Sequence, residues 1–368
     1  MNVFQIAPTG RIVLGRAQPL LQALATPGQP FRIGGAGPIL AGFAQFETLT
    51  SGSSGKPRHI RRTMQSWIHS FAVNAALFGI GPGTRVAVLG AMEQSLSLYG
   101  AVEALHLGAD LYSLCSLRPD RQWRALSDGN IEVLYATPAQ LRLIVEAGRD
   151  GLPALRVIVV GGSKVDAALR AGLLAMAPGA DLREFYGTAE SSFISLACSE
   201  DPPGSVGRAY PGVEIRLKGP LGEVWVRSPY LFLAYAGDDP GSARWEDGWL
   251  SVGEMGRMDT GLLFLSGRAG RMVTVADQNV FPEEIEDFLM GLPGVRRCAV
   301  LPRPDPLRGV HLVAVVQGQR AAQDSLQAAL RAHLGPLKCP KSFLWLEEWP
   351  ILASGKTDLV ALADMVRQ

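Results

Sequence analysis

Cysteine is scarce and scattered. Cys115, Cys198, Cys298 and Cys339 are the four in 368 residues, and no two are spaced C-x-x-C. That spacing leaves neither a zinc site nor a disulfide framework, and buried free thiols are the plain reading. Net charge is nearly absent as well. With 35 Lys and Arg against 34 Asp and Glu, the formal charge is +1, so neither a nucleic-acid nor a membrane surface is written in the charge. No apolar run reaches the ~18 residues of a membrane-spanning helix. Met1 to Arg16 hold no long apolar core followed by a cleavage site, so no signal peptide is expected. A cytoplasmic protein with no nucleic-acid or membrane partner is the expectation. What is present, 47% hydrophobic and 19% charged residues, can fill sizeable cores in two or more domains.

One stretch cannot belong to any core. Thr50-Ser51-Gly52-Ser53-Ser54-Gly55-Lys56-Pro57-Arg58 holds four hydroxyls, two glycines and two cations. The glycines permit backbone conformations closed to other residues, so successive N–H groups can point into one concavity, a nest that binds anions. A phosphate chain suits it. The G-x-x-x-x-G-K-[ST] spacing of P-loop NTPases is not met, because Pro57 follows Lys56. From composition alone a flexible Ser/Gly linker fits too.

Strand and helix patterns alternate after this loop. His59–Phe78 reads as an amphipathic helix through Ile60, Met64, Trp67, Ile68, Phe71 and Leu77. Arg58, Arg61 and Arg62 then stand at its start, against the helix dipole unless a polyphosphate is near; a solvated basic turn is the other reading. Arg85–Gly90, Ala109–Ser113, Val133–Ala136, Arg156–Val160 and Asp181–Phe185 read as strands with helices between them, which implies a parallel sheet. Ligands in such sheets bind beyond the C-terminal strand ends, where Gly161-Gly162-Ser163 and Tyr186–Glu190 fall. From Gly204 the rhythm changes to short alternating strands separated by Gly and Pro, an antiparallel, barrel-like pattern. Past Val280 a compact α+β unit follows. The expected fold is α/β: a large N-terminal lobe, with a parallel α/β part (1–203) and a small β-barrel-like part (204–267), then a small, mobile α+β C-terminal domain (268–368).

Several of these segments, in this order, resemble motifs of the adenylate-forming (ANL) superfamily, which includes acyl-CoA synthetases, aryl-CoA ligases and adenylation domains. Thr50–Arg58 resembles [ST]-[SG]-G-[ST]-T-G-x-P-K, with Ser54 for Thr and Arg58 for Lys. Tyr186-Gly187-Thr188-Ala189-Glu190 resembles Y-G-x-[TS]-E, with Ala189 lacking the usual hydroxyl. Gly248–Gly256 resembles G-W-x-x-T-G-D-x-G, with Glu254 for Asp. Gly267-Arg268-Ala269-Gly270-Arg271 resembles G-R-x-x-[DK]. Val280–Glu286 matches V-x-P-x-E-[IV]-E, and Pro350–Asp358 resembles the closing motif that carries Lys356. The resemblance implies a longer region before the phosphate loop, so most of the first α/β subdomain is expected to be missing. The glycine expected near Asp277 is also absent, in a loop that meets the active site during thioester formation.

By that resemblance, residues 50–56 hold the β- and γ-phosphates of ATP. Gly161, Gly162, Ser163, Phe185, Tyr186, Gly187 and Thr188 border the nucleotide, with Tyr186 stacked on adenine and the Thr188 hydroxyl turned elsewhere. Glu190 binds Mg²⁺, a hard ion suited to carboxylate and phosphate oxygens. Glu254 grips the ribose hydroxyls and Arg268 its phosphate side. Arg271 is the hinge. Gln94, at a position usually His, lines the acid pocket with Ser95, Tyr99 and Phe193. Lys356 bridges carboxylate and α-phosphate as charge develops. The implied function is ATP-dependent activation of a small carboxylic acid to an acyl-adenylate, catalysed by Lys356, Glu190 and Arg268. Transfer to the thiol of CoA or of a phosphopantetheinyl acyl or peptidyl carrier protein would follow. A catalytically impaired, nucleotide-binding relative that binds a partner is the alternative; Ala189, Glu254 and Asp277 motivate it.

Overall fold

A computed structural model describes residues 2–49, 58–148, 150–237, 241–275, 278–305, 309–352 and 357–367. Its spine is a thirteen-stranded sheet. Arg11–Leu14, Asp110–Ser113, Arg85–Val88, Val133–Ala136, Val157–Val160 and Asp181–Thr188 lie side by side and parallel. The middle strands are continuous runs of buried Val, Ile, Leu, Tyr and Ala, as a sheet covered on both faces requires. The crossover helices begin on specific caps. Thr137 and Gln140 form a reciprocal capping box around Pro138, and the Asp166 carboxylate accepts from Leu169 N–H at 2.8 Å; each satisfies amide groups a helix start leaves unpaired.

Past Asp181–Thr188 the same sheet turns antiparallel. Ser192–Ala197, Ser205–Ala209, Leu262–Arg268, Trp249–Asp259, Glu223–Arg227 and Glu214–Lys218 continue it in that order. The antiparallel strands expected after Gly204 thus join the parallel sheet through one hairpin, and one core runs from Phe4 to Leu263 beneath both parts. The motif strand is also longer than its apolar pattern implies. It reaches Thr188 because pairing with Ser192–Ala197 gives its polar end backbone partners.

The expected helix start is corrected too. His59–Thr63 is a strand in a second sheet, between Gln45–Leu49 and Ala234–Ala236, and the helix is Met64–Phe78. Leu49 pairs with His59, so the Ser/Gly stretch joins two strands of a hairpin. Thr63 then caps the helix, its Oγ1 accepting from Ser66 N–H at 3.1 Å. Ile60 is buried by the sheet, and its spacing to Met64 imitates a helical repeat.

Residues 273–366 pack two cores of their own. Val295–Asp305, Gly309–Gly318 and Ser342–Trp345 form a three-stranded sheet. Alternation sends Val300, Leu312 and Ala314 to the core shared with helices Pro282–Met290 and Gln323–Lys338, and Ala299, Leu301 and Val313 to the core shared with Leu359–Arg367. No helix among the described residues is long and apolar enough to cross a membrane.

Candidate active site

The site is built where the two sheets meet. Arg58, the first described residue after the phosphate-loop stretch, sets its guanidinium 5.8 Å from the ring centre of Tyr235. The Tyr235 hydroxyl donates to Glu190 Oε1 at 2.9 Å. Burial and the Glu190 charge push the Tyr235 hydroxyl up to about 12, so it stays a donor at neutral pH. Phe232 N–H donates to the Glu190 carbonyl at 2.8 Å. Glu190 Oε2 takes no hydrogen bond among the described residues. Arg62 is buried beside this turn, donating at 2.7 Å to the carbonyls of both Ala189 and Tyr230.

A hard cation fits this arrangement. Mg²⁺ is usually held by one or two carboxylates together with substrate phosphates and waters. The described residues contain no cluster of three or more His, Cys, Asp or Glu side chains able to hold a metal unaided. Glu190, with one oxygen engaged by Tyr235 and the other without a hydrogen bond among the described residues, could supply a single ligand to an ion that arrives with a polyphosphate.

On the adjoining strands Glu254 and Arg268 are cross-strand partners. Glu254 is 6% exposed and its Oε1 accepts from Arg268 Nε at 2.8 Å. Tyr186 reaches the same place. Its hydroxyl is buried with no hydrogen-bond partner, and burial, then the Glu254 charge, raises its pKa well above the usual range. A buried phenol without a partner is costly, and a polar ligand beside the ion pair would relieve it. Phe185 lies over the backbone of Gly161, where any Cβ would collide with its ring. Gly162 takes a positive φ of 97°, and with Ser163 it is exposed.

Other expected residues have different surroundings. A side chain at Gly187 would strike the Ser192 carbonyl across the hairpin, so strand pairing by itself calls for glycine here. The Thr188 hydroxyl exchanges bonds with Ser191, accepting from Ser191 N–H at 3.2 Å. Gln94 forms an isolated bridge with Leu49, and Ser95 Oγ donates to the Leu49 carbonyl at 3.2 Å, which sets both beside the last described residue before the Ser/Gly stretch. Tyr99 and Phe193, expected on a pocket wall, are 4% and 3% exposed. Their rings meet edge to face in the packed core, and the Tyr99 hydroxyl bonds to Ser70 and Glu103. Tyr99 faces the core because Ser70 and Asn74 of the neighbouring helix Met64–Phe78, with Glu103 of its own helix, bond its hydroxyl.

Arg271, expected as a hinge, is tied to the small domain. It pairs with both Glu286 oxygens at 2.6 and 3.0 Å and donates to the Val300 carbonyl at 3.2 Å. Arg268 pairs with Glu254 on the large lobe, and Ala269 and Gly270 lie between the two arginines in a single 3-10 turn. A further contact crosses the lobes, from Lys164 to Asp287. Thr50, Ser51, Gly52, Ser53, Ser54, Gly55, Lys56, Asp277 and Lys356 lie outside the described residues. On either side of residues 353–356 the chain is tied by an isolated Ile351–Thr357 bridge and by Trp349 Nε1 donating to Thr357 Oγ1 at 3.0 Å.

Residues 47–236, more than half of the chain, match the family described as AMP-binding enzyme; 284–356 match the AMP-binding enzyme C-terminal domain. The chain belongs to this family. It is 34% identical to the uncharacterized acyl-CoA ligase YhfT of Bacillus subtilis, over 84% of the chain and 66% of that protein. It is 27% identical to a 3-hydroxybenzoate-CoA ligase of an Aromatoleum species, over 88% of the chain and 66% of that protein. The amide bond synthetase McbA of Marinactinospora thermotolerans superposes with a TM-score of 0.76 at 26% identity, over 87% of the chain and 69% of that structure. The chain thus spans about two thirds of the length of the relatives it matches. Arg62 reads in the sequence as part of a basic helix start, near a polyphosphate or in a solvated turn; the structure places it buried on a strand, bonded to the Ala189 carbonyl next to Glu190.

Proposed function

We propose that this AMP-binding chain activates a small carboxylic acid with ATP and then passes the acyl group to a thiol. The observation that carries this reading is the meeting of the Glu190 turn, Arg58 and Tyr235 at the end of the phosphate-loop hairpin, beside the Tyr186–Glu254–Arg268 group. One end suits a polyphosphate and the other a nucleoside.

The substrate carboxylate oxygen attacks the α-phosphorus, the bond to the β-phosphate breaks, and pyrophosphate leaves with its electron pair. The protein does little covalent work in such a transfer; it positions and neutralises charge. Residues 50–56 and Arg58 hold the β/γ end, Glu254 and Arg268 orient the ribose side, and Tyr186 packs on the base. Glu190 would hold a divalent cation that draws charge off the phosphate oxygens. Lys356, on the closing loop of the small domain, balances charge between carboxylate and α-phosphate. The small domain then turns about the joint before Arg271, near residue 268. A thiolate attacks the acyl carbonyl, AMP departs, and the thiol proton passes to solvent.

The acid pocket begins at Gln94 and Ser95 and is bordered by Phe185 and Gly161. That mixture of aromatic and small groups, with the aryl substrate named for the Aromatoleum relative, makes hydroxybenzoates the first acids to screen, followed by medium aliphatic acids. Carboxylate-dependent ATP–pyrophosphate exchange tests the first step. Lys356→Ala should slow it by about 10²- to 10³-fold, the size lost with one electrostatic contact to a developing charge. Exchange indifferent to Lys356 removes its role, and ATP binding with no exchange across the panel points to a nucleotide-binding protein instead. Hydroxamate-trapped activity repeated with CoA and with a carrier protein separates the two acceptors.

A further inference from the structure

Arg62 occupies a place where a charge is expensive. It lies on the same face of its strand as Ile60, directly across from Phe46, and both neighbours are 0% exposed while Arg62 itself is 1% exposed. An isolated buried ion costs several kcal/mol unless it is paired and bonded. Its bonds lead away from its own strand. One nitrogen donates to the carbonyl of Tyr230 and, at 3.5 Å, to Ser66 Oγ; the other donates to the carbonyl of Ala189. Burial lowers its pKa to about 9, and Glu190 is the charge that works against that loss. Tyr235, the second group on Glu190, belongs to the strand paired with this one, opposite Ile60. The strand His59–Thr63 thus holds the backbone beside Glu190 through Arg62, and its neighbour Ala234–Ala236 holds the carboxylate through Tyr235.

Resting on the function proposed above, we propose that Arg62 is a positioning residue. With Tyr235 it fixes where Glu190 stands beside the strands Gln45–Leu49 and His59–Thr63, and so where Glu190 would hold a divalent cation on the β- and γ-phosphates of ATP. An aliphatic side chain would fill the same space beside Phe46 and Ile60, so packing alone does not call for a guanidinium there. Outer-shell partners of metal ligands commonly control metal affinity by about 10- to 100-fold.

The test compares the wild-type chain with Arg62→Met, which keeps the volume, and with Arg62→Lys and Tyr235→Phe. ATP binding is measured by calorimetry with Mg²⁺ and with EDTA, alongside the Mg²⁺ dependence of pyrophosphate exchange and the thermal midpoint. Arg62→Met should bind ATP in EDTA within about twofold of wild type, lose about 10-fold or more of the affinity that Mg²⁺ adds, and need correspondingly more Mg²⁺ for exchange. Arg62→Lys should recover part of that loss. Tyr235→Phe should show a smaller shift in the same direction, and it carries the test if Arg62→Met does not fold. Equal losses with and without Mg²⁺, or an unchanged Mg²⁺ dependence in both Arg62→Met and Tyr235→Phe, overturn the proposal while leaving the proposed function intact. A wild-type chain with no affinity for ATP and Mg²⁺ overturns both.

Discussion

Two buried charges in the large lobe are held in opposite ways. Arg62 bonds mainly to backbone carbonyls from distant parts of the chain, beside a carboxylate that has an oxygen to spare. Glu103, 0% exposed, bonds only to side chains within the core. Asn74 Nδ2 donates to it at 2.9 Å, the Tyr99 hydroxyl at 3.1 Å, and Tyr135 also donates. Tyr210 closes the network by donating to Asn74 Oδ1 at 2.7 Å. Burial pushes the Glu103 carboxyl up to about 7 and pulls the Arg62 guanidinium down to about 9. Similar burial thus serves two ends. A charge saturated by core side chains holds helices Met64–Phe78 and Ser95–His106 against the sheet, whereas a charge spent on carbonyls sets the position of a chain segment.

The strongest way to break this comparison is to exchange the two carboxylates for amides in turn. Glu190→Gln should lower carboxylate-dependent pyrophosphate exchange by about 10²-fold or more, with little change in the unfolding midpoint. Glu103→Gln should leave exchange within a few-fold. Comparable losses of exchange from the two variants would erase the distinction.

Stability should show the reverse order. Glu103→Ala removes the acceptor of the Tyr135 hydroxyl and one partner each of the Tyr99 hydroxyl and the Asn74 amide, at a cost of about 3 kcal/mol, read as a lower urea midpoint of the large lobe. A midpoint equal to wild type would mean that water fills the gap and that the network contributes little.

The smallest effect is a slope against pH. The folded Glu103 carboxyl keeps its proton to about 7, against 4.5 for the ordinary group. Between those values the folded chain binds the proton that the unfolded chain has lost. Its contribution is therefore full below about 4.5 and lost as pH rises through 7, by at most about 1.4 kcal/mol per pH unit. Relative to Glu103→Gln, the wild-type chain should lose stability between pH 5 and pH 8. Parallel profiles would show that Glu103 stays ionised throughout.

Much of the fold was legible because each parallel strand is a short apolar run closed by a turn signal, as at Val133–Ala136 before Thr137-Pro138. The segments that became Glu190, Glu254 and Arg268 were legible as motifs, since their spacing carries chemistry. What could not be read was direction. Ile60 and Met64 share a helical spacing, yet one is buried by a sheet and the other by a helix. Tyr99 stands on a helix whose inner face looks like a pocket wall until Ser70 and Glu103 claim its hydroxyl. Arg62 was hidden because a basic pair beside a glycine-rich loop has the composition of a wet turn; only the far ends of its bonds, at Ala189 and Tyr230, reveal its burial.

The unbroken sheet has a consequence for how two half-reactions could share one site. Tyr186, Glu254 and Arg268 ride on strands joined edge to edge through Ser192–Ala197 and Ser205–Ala209, while Arg271 is bonded to Glu286 of the small domain. A turn at Ala269 and Gly270 would exchange the roof above a nucleotide and leave its floor unmoved. The adenylate could then stay in one bed while first a lysine and later a thiol is brought overhead.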